Sequence, residues 1–203
     1  MTTVAAPYRR AVPTTVVDHR RGSQAMVMFI VTEAMLFLMF FFAYYYLGHE
    51  APKWPTELPK LTLALVMLAV LLTSSVVLYF GEEASKKGEF ARAKAWTGLT
   101  VVMGIAFLVL QVLEYREHMK TLLPTTNAYG SIFYTITSFH GAHLVLGLLM
   151  LLYVLILPAP HVGKADKPPH DGLHTAALYW HFVDAVWVLI VALLYVAPHV
   201  TGQ

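Results

Sequence analysis

Residues 129–157 read YGSIFYTITSFHGAHLVLGLLMLLYVLIL, without one Asp, Glu, Lys or Arg. An α-helix rises about 1.5 Å per residue and the hydrocarbon core of a bilayer is roughly 30 Å thick, so a run this long and this apolar predicts a membrane-crossing helix. Outward from it, four more stretches meet the same test, at 24–47, 61–80, 96–115 and 174–197. The segments between them carry turn and interface chemistry: Pro52, Pro55 and Pro59 in the first, GEEASKKGEFARAK (81–94) in the second, Pro124 in the third and PAPHVGKADKPPHDG (158–172) in the fourth. The expected fold is all-α, one bundle of five transmembrane helices over 24–197, with a polar tail at 1–23 and a short tail at 198–203.

Composition supports lipid as the solvent. Of 203 residues, 58% are hydrophobic and 13% charged, and the mean hydropathy is +0.61. The chain has no cysteine, which excludes disulfides, thiolate metal sites, iron–sulfur clusters and covalently attached haem. Any redox group in this chain would have to rest on histidine or methionine. A net charge of +2 with no long basic run makes nucleic acid an unexpected partner. The apolar run after the polar N-terminus is too long for a signal peptide, and none is expected to be removed. Ten Lys and Arg fall on one side of the expected spans and four on the other. By the positive-inside rule this predicts a cytoplasmic N-terminus and an external C-terminus.

Ionisable groups at membrane depth cost on the order of 2.5 to 3.5 kcal/mol each, so each is expected to face protein and to have a partner. The groups concerned are Glu33 in the first span, Glu114 in the third, His140 and His143 in the fourth, and His181 with Asp184 in the fifth. Ser74, Ser75, Gln111 and the Trp180 indole are further candidates for polar contacts between helices. His140 and His143 share a helix face, as do His181 and Asp184. Three readings stand on these residues: ligands of a metal or haem, a buried histidine–carboxylate network tying helices together, or a proton-linked role. A pair three apart on one helix cannot clamp a single porphyrin, which turns the balance toward the network. In the fourth span Ser138 and Ala142 form a small-xxx-small pair that allows close backbone approach.

Taken together, the spans resemble subunit III of the haem-copper oxidases. The resemblance runs through MVMFIVTEAMLFLMFFFAYY (26–45), LLTSSVVLYF (71–80), GLTVVMGIAFLVLQVLEY (98–115), NAYGSIFYTITSFHGAHLVLG (127–147) and AALYWHFVDAVWVLIVALLYV (176–196). The five segments stand in the family's order, with HGAH at 140–143 and YWHFVD at 179–184. The chain looks like the short five-helix bacterial form, which lacks the first two helices of the long form. One departure is the end of the second span, LYFGEE, where the family usually carries histidines; a role tied to those histidines is not carried over.

The resemblance implies a non-catalytic subunit in a bacterial cytoplasmic (inner) membrane. It would stabilise subunit I, which holds the haem and copper, and support sustained proton uptake in a cytochrome c oxidase. Subunit II and other small membrane subunits are implied as partners, with membrane lipid and bound phospholipid. No redox centre is expected in this chain. Glu33 matches a membrane carboxylate that reacts with carbodiimide in related proteins, and its implied partner is His143 or His140. A quinol oxidase or an accessory protein of nitric oxide reduction would use the same motifs, and from another class a proton-coupled transporter would use the same polar groups.

Overall fold

The computed structural model describes residues 15–51, 53–56, 59–156 and 171–201. Five long helices cross in alternating directions: α1 (Thr15–Glu50), α2 (Leu61–Lys86), α3 (Phe90–His118), α4 (Ala128–Ile156) and α5 (Asp171–Ile190). The last continues through a π-helical turn, Val191–Val196, into a short α6, Ala197–Thr201. Each of the five offers a stretch long and apolar enough to span a bilayer. The fourth loop through residue 170, the chain before residue 15 and the last two residues lie outside the described residues, and with them several of the basic residues behind the predicted orientation.

The helices overrun the predicted spans. α1 begins at Thr15 where the apolar run begins at 24, and α2 continues to Lys86 where the apolar run ends at Phe80. Hydrocarbon thickness limits apolarity, not helicity, so a helix persists into the headgroup region until a residue stops it. For α2 that residue is Gly88 at φ 77°, a left-handed conformation that side chains resist. The amides of Lys87, Gly88 and Glu89 return to carbonyls of Glu83, Ser85 and Ala84. The tight turn that results makes α2 and α3 an antiparallel hairpin.

The wide turn in α5 has a local cause as well. Pro198 has no amide hydrogen, and in a regular helix its ring would press on the carbonyl of residue 194. The turn before it is π-wound, with the Ala197 amide bonded to the Ala192 carbonyl. The span expected from the sequence, 174–197, ends one residue before Pro198 and is read there as an unbroken helix.

α5 is the hub. It packs on α1, α2 and α4 along their backbones and reaches α3 through Trp180 and Trp187. Half of its apolar window is buried, against 11% for α1, which packs on α4 and α5. The core is aromatic: Phe37, Phe107, Tyr129, Phe133, Tyr179, Trp180, Trp187 and Tyr195 are all buried. The outer surface is apolar too, and α1 exposes Val27, Met28, Val31, Met35, Leu38, Met39 and Phe42. So large an exposed apolar surface belongs in hydrocarbon.

Trp180 occupies space that two glycines leave open. A Cβ at Gly104 of α3 would lie 2.6 Å from its ring, and one at Gly147 of α4 would lie 3.1 Å away. By contrast, a Cβ at Gly98 meets nothing within 4 Å. Gly104→Ala is therefore expected to destabilise the purified protein by about 1 to 3 kcal/mol through overpacking. Gly98→Ala should leave it unchanged or raise it by up to ~1 kcal/mol through helix propensity. Thermal unfolding of the two variants side by side in one detergent checks the contrast; equal midpoints would contradict the packing.

Candidate functional site

The polar residues singled out in the sequence are distributed over separate clusters, each at the seam of particular helices. Between α1 and α4, His143 Nε2 lies 2.9 Å from Glu33 Oε2. His143 Nδ1 lies 2.6 Å from the Phe139 carbonyl, one turn back on α4. A carbonyl only accepts, so Nδ1 carries a proton. Nε2 then either donates to a carboxylate or accepts from a protonated carboxyl. The Phe37 ring lies against the imidazole at 5.0 Å between centroids.

Between α2 and α5, Ser75 joins two residues one turn apart on α5. Its hydroxyl donates to Asp184 Oδ2 and lies 2.8 Å from His181 Nδ1. One hydroxyl has one proton, so the serine that donates to Asp184 accepts from His181 Nδ1–H. The order differs from a nucleophile–base–carboxylate relay, because the serine sits in the middle and Asp184 makes no bond to the imidazole. Beside it, Trp180 Nε1 donates to Ser74 Oγ at 3.0 Å, and Ser74 Oγ donates to the Leu71 carbonyl at 2.6 Å.

Toward the other end, α3 bonds to α4 and to the π-helical turn that continues α5. Gln111 Nε2 donates to the Thr137 carbonyl at 2.8 Å, its side chain lying in the space above Gly141. Tyr115 donates to Thr137 Oγ1 at 2.6 Å, with Ser138 Oγ at 3.1 Å. Glu114, buried, accepts from the Tyr195 hydroxyl at 2.8 Å.

His140 departs from expectation. A partner was expected for every ionisable group at this depth, yet neither ring nitrogen of His140 has a hydrogen-bond partner among the described residues. The ring is fully buried, stacked on Trp187 at 4.9 Å and set edge-on to Phe107 at 5.8 Å. Residues three apart on a helix point about 60° apart, so His143 reaches α1 while His140 turns into the aromatic core. The single histidine–carboxylate network expected from the sequence is thus several separate contacts. Among the described residues no three His, Asp or Glu side chains converge as metal ligands would.

Two further contacts bring in residues that were not anticipated: the Tyr195 hydroxyl donates to Glu114, and His174 Nδ1 meets Glu82 Oε1 at 2.9 Å where α5 begins beside the end of α2. The i, i+7 spacing of His174 and His181, matched by Glu82 and Ser75 on α2, was the available signal for the second.

Two substitutions separate bonded from unbonded burial. Tyr195→Phe leaves Glu114 buried without its donor and is expected to cost about 1 to 3 kcal/mol. His140→Phe replaces an unbonded ring by an apolar one of similar shape and is expected to be neutral or stabilising. Thermal midpoints in the same detergent test both, and a His140→Phe loss as large as that of Tyr195→Phe would mean that His140 is bonded after all.

This arrangement, five apolar helices joined by isolated polar contacts at their seams, agrees with comparison to known proteins. A protein of Synechocystis named cytochrome c oxidase subunit 3 is 40% identical over 173 residues, covering 84% of this chain and 73% of its own length. One of Bacillus sp. strain PS3, with the same name, is 31% identical over 194 residues, 94% of this chain and 91% of its own. The carp protein so named is 34% identical over 180 residues, covering 84% and 67%. The family profile described as cytochrome c oxidase subunit III matches residues 14–198, and the chain belongs to that family.

Proposed function

We propose that this chain acts as the non-catalytic, structural and modulatory subunit III of a proton-pumping haem-copper oxidase. It braces subunit I, which holds the haem and copper, and helps sustain proton uptake, in a bacterial cytoplasmic membrane with the N-terminus inside. Cytochrome c is the proposed donor, as the relatives' names suggest. Subunit II and smaller membrane subunits complete the assembly, with phospholipid filling clefts between them.

One observation carries this proposal. In a chain matched by the family through all five helices, Glu33 with His143, Glu114 with Tyr195, and His181 and Asp184 with Ser75 each form a hydrogen bond that crosses from one helix to another. Side chains so used hold a bundle in register. Cross-helix hydrogen bonds of this kind contribute roughly 0.6 kcal/mol each in lipid, enough together to rigidify a scaffold.

A proton-coupled transporter would require the same groups to pass protons in sequence. Trp187 and Phe107 enclose His140 without a hydrogen-bond partner, which interrupts such a path between the α1–α4 pair and the rest. Transporters also tend to place discontinuous helices near the midplane. Here the irregular turn, Val191–Val196, lies near the end of the last helix and is accounted for by Pro198.

Purification through a tag on this chain in mild detergent is expected to bring down the larger oxidase subunits, with a reduced-minus-oxidised haem spectrum. Glu33→Gln should leave the haem content per complex unchanged. A preparation that inserts and folds but carries no haem protein would overturn the proposal, as would proton flux through vesicles containing this chain alone that Glu33→Gln abolishes.

A further inference from the structure

The cluster between α2 and α5 has an open end and a closed end. Ser75 Oγ accepts from His181 Nδ1–H at 2.8 Å and donates to Asp184 Oδ2. Because Nδ1 holds the imidazole proton, Nε2 of the neutral ring carries a lone pair. Nε2 has no hydrogen-bond partner among the described residues and is not enclosed, so it reaches the surface of the bundle. Asp184 is the opposite case: it is 4% exposed, and its Oδ1 is buried without a partner. An unbroken line of hydrogen bonds thus runs from an accessible base to an enclosed carboxyl group.

A second polar step stands on the same seam, nearer the start of α5. His174 Nδ1 meets Glu82 Oε1 at 2.9 Å, with the His174 side chain 51% exposed and that of Glu82 11%. The i, i+7 spacing places this step about 10 Å along the helix axes from His181 and Ser75. Helical side chains lean toward the N-terminus of their own helix, so on these antiparallel helices Glu82 leans toward the cluster and His181 leans back toward Glu82. The two lie within electrostatic reach of each other. Other ionisable groups at depth are engaged elsewhere: Glu33 with His143 and in electrostatic contact with Tyr179, Glu114 with Tyr195, and His140 between Trp187 and Phe107.

The order of donors lets a proton enter while the heavy atoms stay in place. A proton taken up at Nε2 makes an imidazolium, for which Glu82 is the counter-charge. The Nδ1–H bond then breaks as Ser75 Oγ gains that proton, and the original Ser75 O–H bond breaks as Asp184 Oδ2 gains its proton. Every bond in the line now points the other way: Asp184 donates to Ser75, Ser75 donates to Nδ1, and the neutral ring keeps its hydrogen on Nε2. One proton has entered, and a carboxylate at membrane depth, a costly species, has become a neutral acid. Release reverses each step. Beyond Asp184 the line stops among the described residues, because Oδ1 has no partner.

We propose that His181, Ser75 and Asp184 form a proton relay that fills and empties Asp184 from the side of the membrane on which α5 begins. The inference rests on the subunit function above, with the N-terminus inside, and gives its part in proton uptake a place: a one-proton store on the α2–α5 seam, behind His174 and Glu82.

The test is infrared difference spectroscopy of the purified complex, recorded between low and high pH and then during transfer into heavy water. The expected signal is the carbonyl stretch of a protonated carboxyl that shifts with carbon-13 aspartate and is lost in Asp184→Asn. Where Asp184→Asn does not assemble, Asp184→Glu assigns the band, which then shifts with labelled glutamate instead. Deuterium exchange of that carboxyl is expected to slow about a hundredfold in Ser75→Ala and in His181→Gln, the scale that a positioned proton-transfer group contributes. Ser75→Thr keeps the hydroxyl and should stay within about threefold of the parent. His181→Gln still donates a hydrogen bond to Ser75, so a purely structural role predicts no slowing there. Slowing of less than about tenfold in both Ser75→Ala and His181→Gln, or an Asp184 that never protonates while the complex is intact, would overturn the relay. The haem spectrum of the same preparation reports on the subunit function: an intact haem-bearing complex without the exchanging band refutes the relay alone, and absence of haem protein refutes the function.

Discussion

Trp180 is gripped by three helices besides its own. Gly104 of α3 and Gly147 of α4 leave the volume its ring fills, and Ser74 of α2 accepts its indole proton. The contact is steric on two sides and directional on the third, so it fixes both the separation and the rotation of the helices around α5. In hydrocarbon, apolar burial gives helices little reason to associate, and close packing with satisfied donors must hold them together. The wide indole supplies the first and its N–H the second. Ser74 passes its own proton to the Leu71 carbonyl, so the chain of donors ends on backbone with nothing left open.

Around that centre the remaining polar groups are distributed by seam. Glu33 with His143 joins α1 to α4; Ser75 with His181 and Asp184 joins α2 to α5; Glu114 with Tyr195 joins α3 to the π-helical turn that continues α5. A seam held by apolar contact alone can slide or rotate at small cost, and one bonded pair at a fixed height removes that freedom. Isolation of the pairs from one another suits a scaffold, since each can be strained or relaxed without passing the change along a connected chain. His140 fits the same logic from the other side, contributing a ring to the aromatic core and no bond to any seam.

Much of this was legible in the sequence because membrane depth imposes rules that single residues reveal. Five apolar runs gave five helices, and a carboxyl at Glu33 required a partner, which the family resemblance placed in HGAH. Which of its two histidines does so was not legible, because the choice depends on how α4 is rotated against α1, and both lie within about 60° of one face. Tyr195 carries no charge to mark it in the sequence, and its bond to Glu114 depends on the turn of chain between Val191 and Val196. The glycines divide in the same way: Gly98 and Gly104 look alike in sequence, yet one faces open space and the other Trp180. Local pattern reveals which groups need company; rotation and register decide who provides it.

The Glu33–His143 pair also shows how a titratable group can be kept at membrane depth. With Nδ1 committed to the Phe139 carbonyl, the pair has two arrangements of one proton between Nε2 and Oε2. One is imidazolium with carboxylate, the other neutral imidazole with a protonated carboxyl, and the sum of charge is zero in both. Moving the proton across 2.9 Å therefore changes the local dipole without placing a net charge in hydrocarbon. What the two arrangements do not share is the demand of the second oxygen. As a carboxylate oxygen it calls strongly for a donor, and as the carbonyl of a neutral carboxyl it calls weakly. Any donor that reaches that oxygen would therefore favour the ionic arrangement.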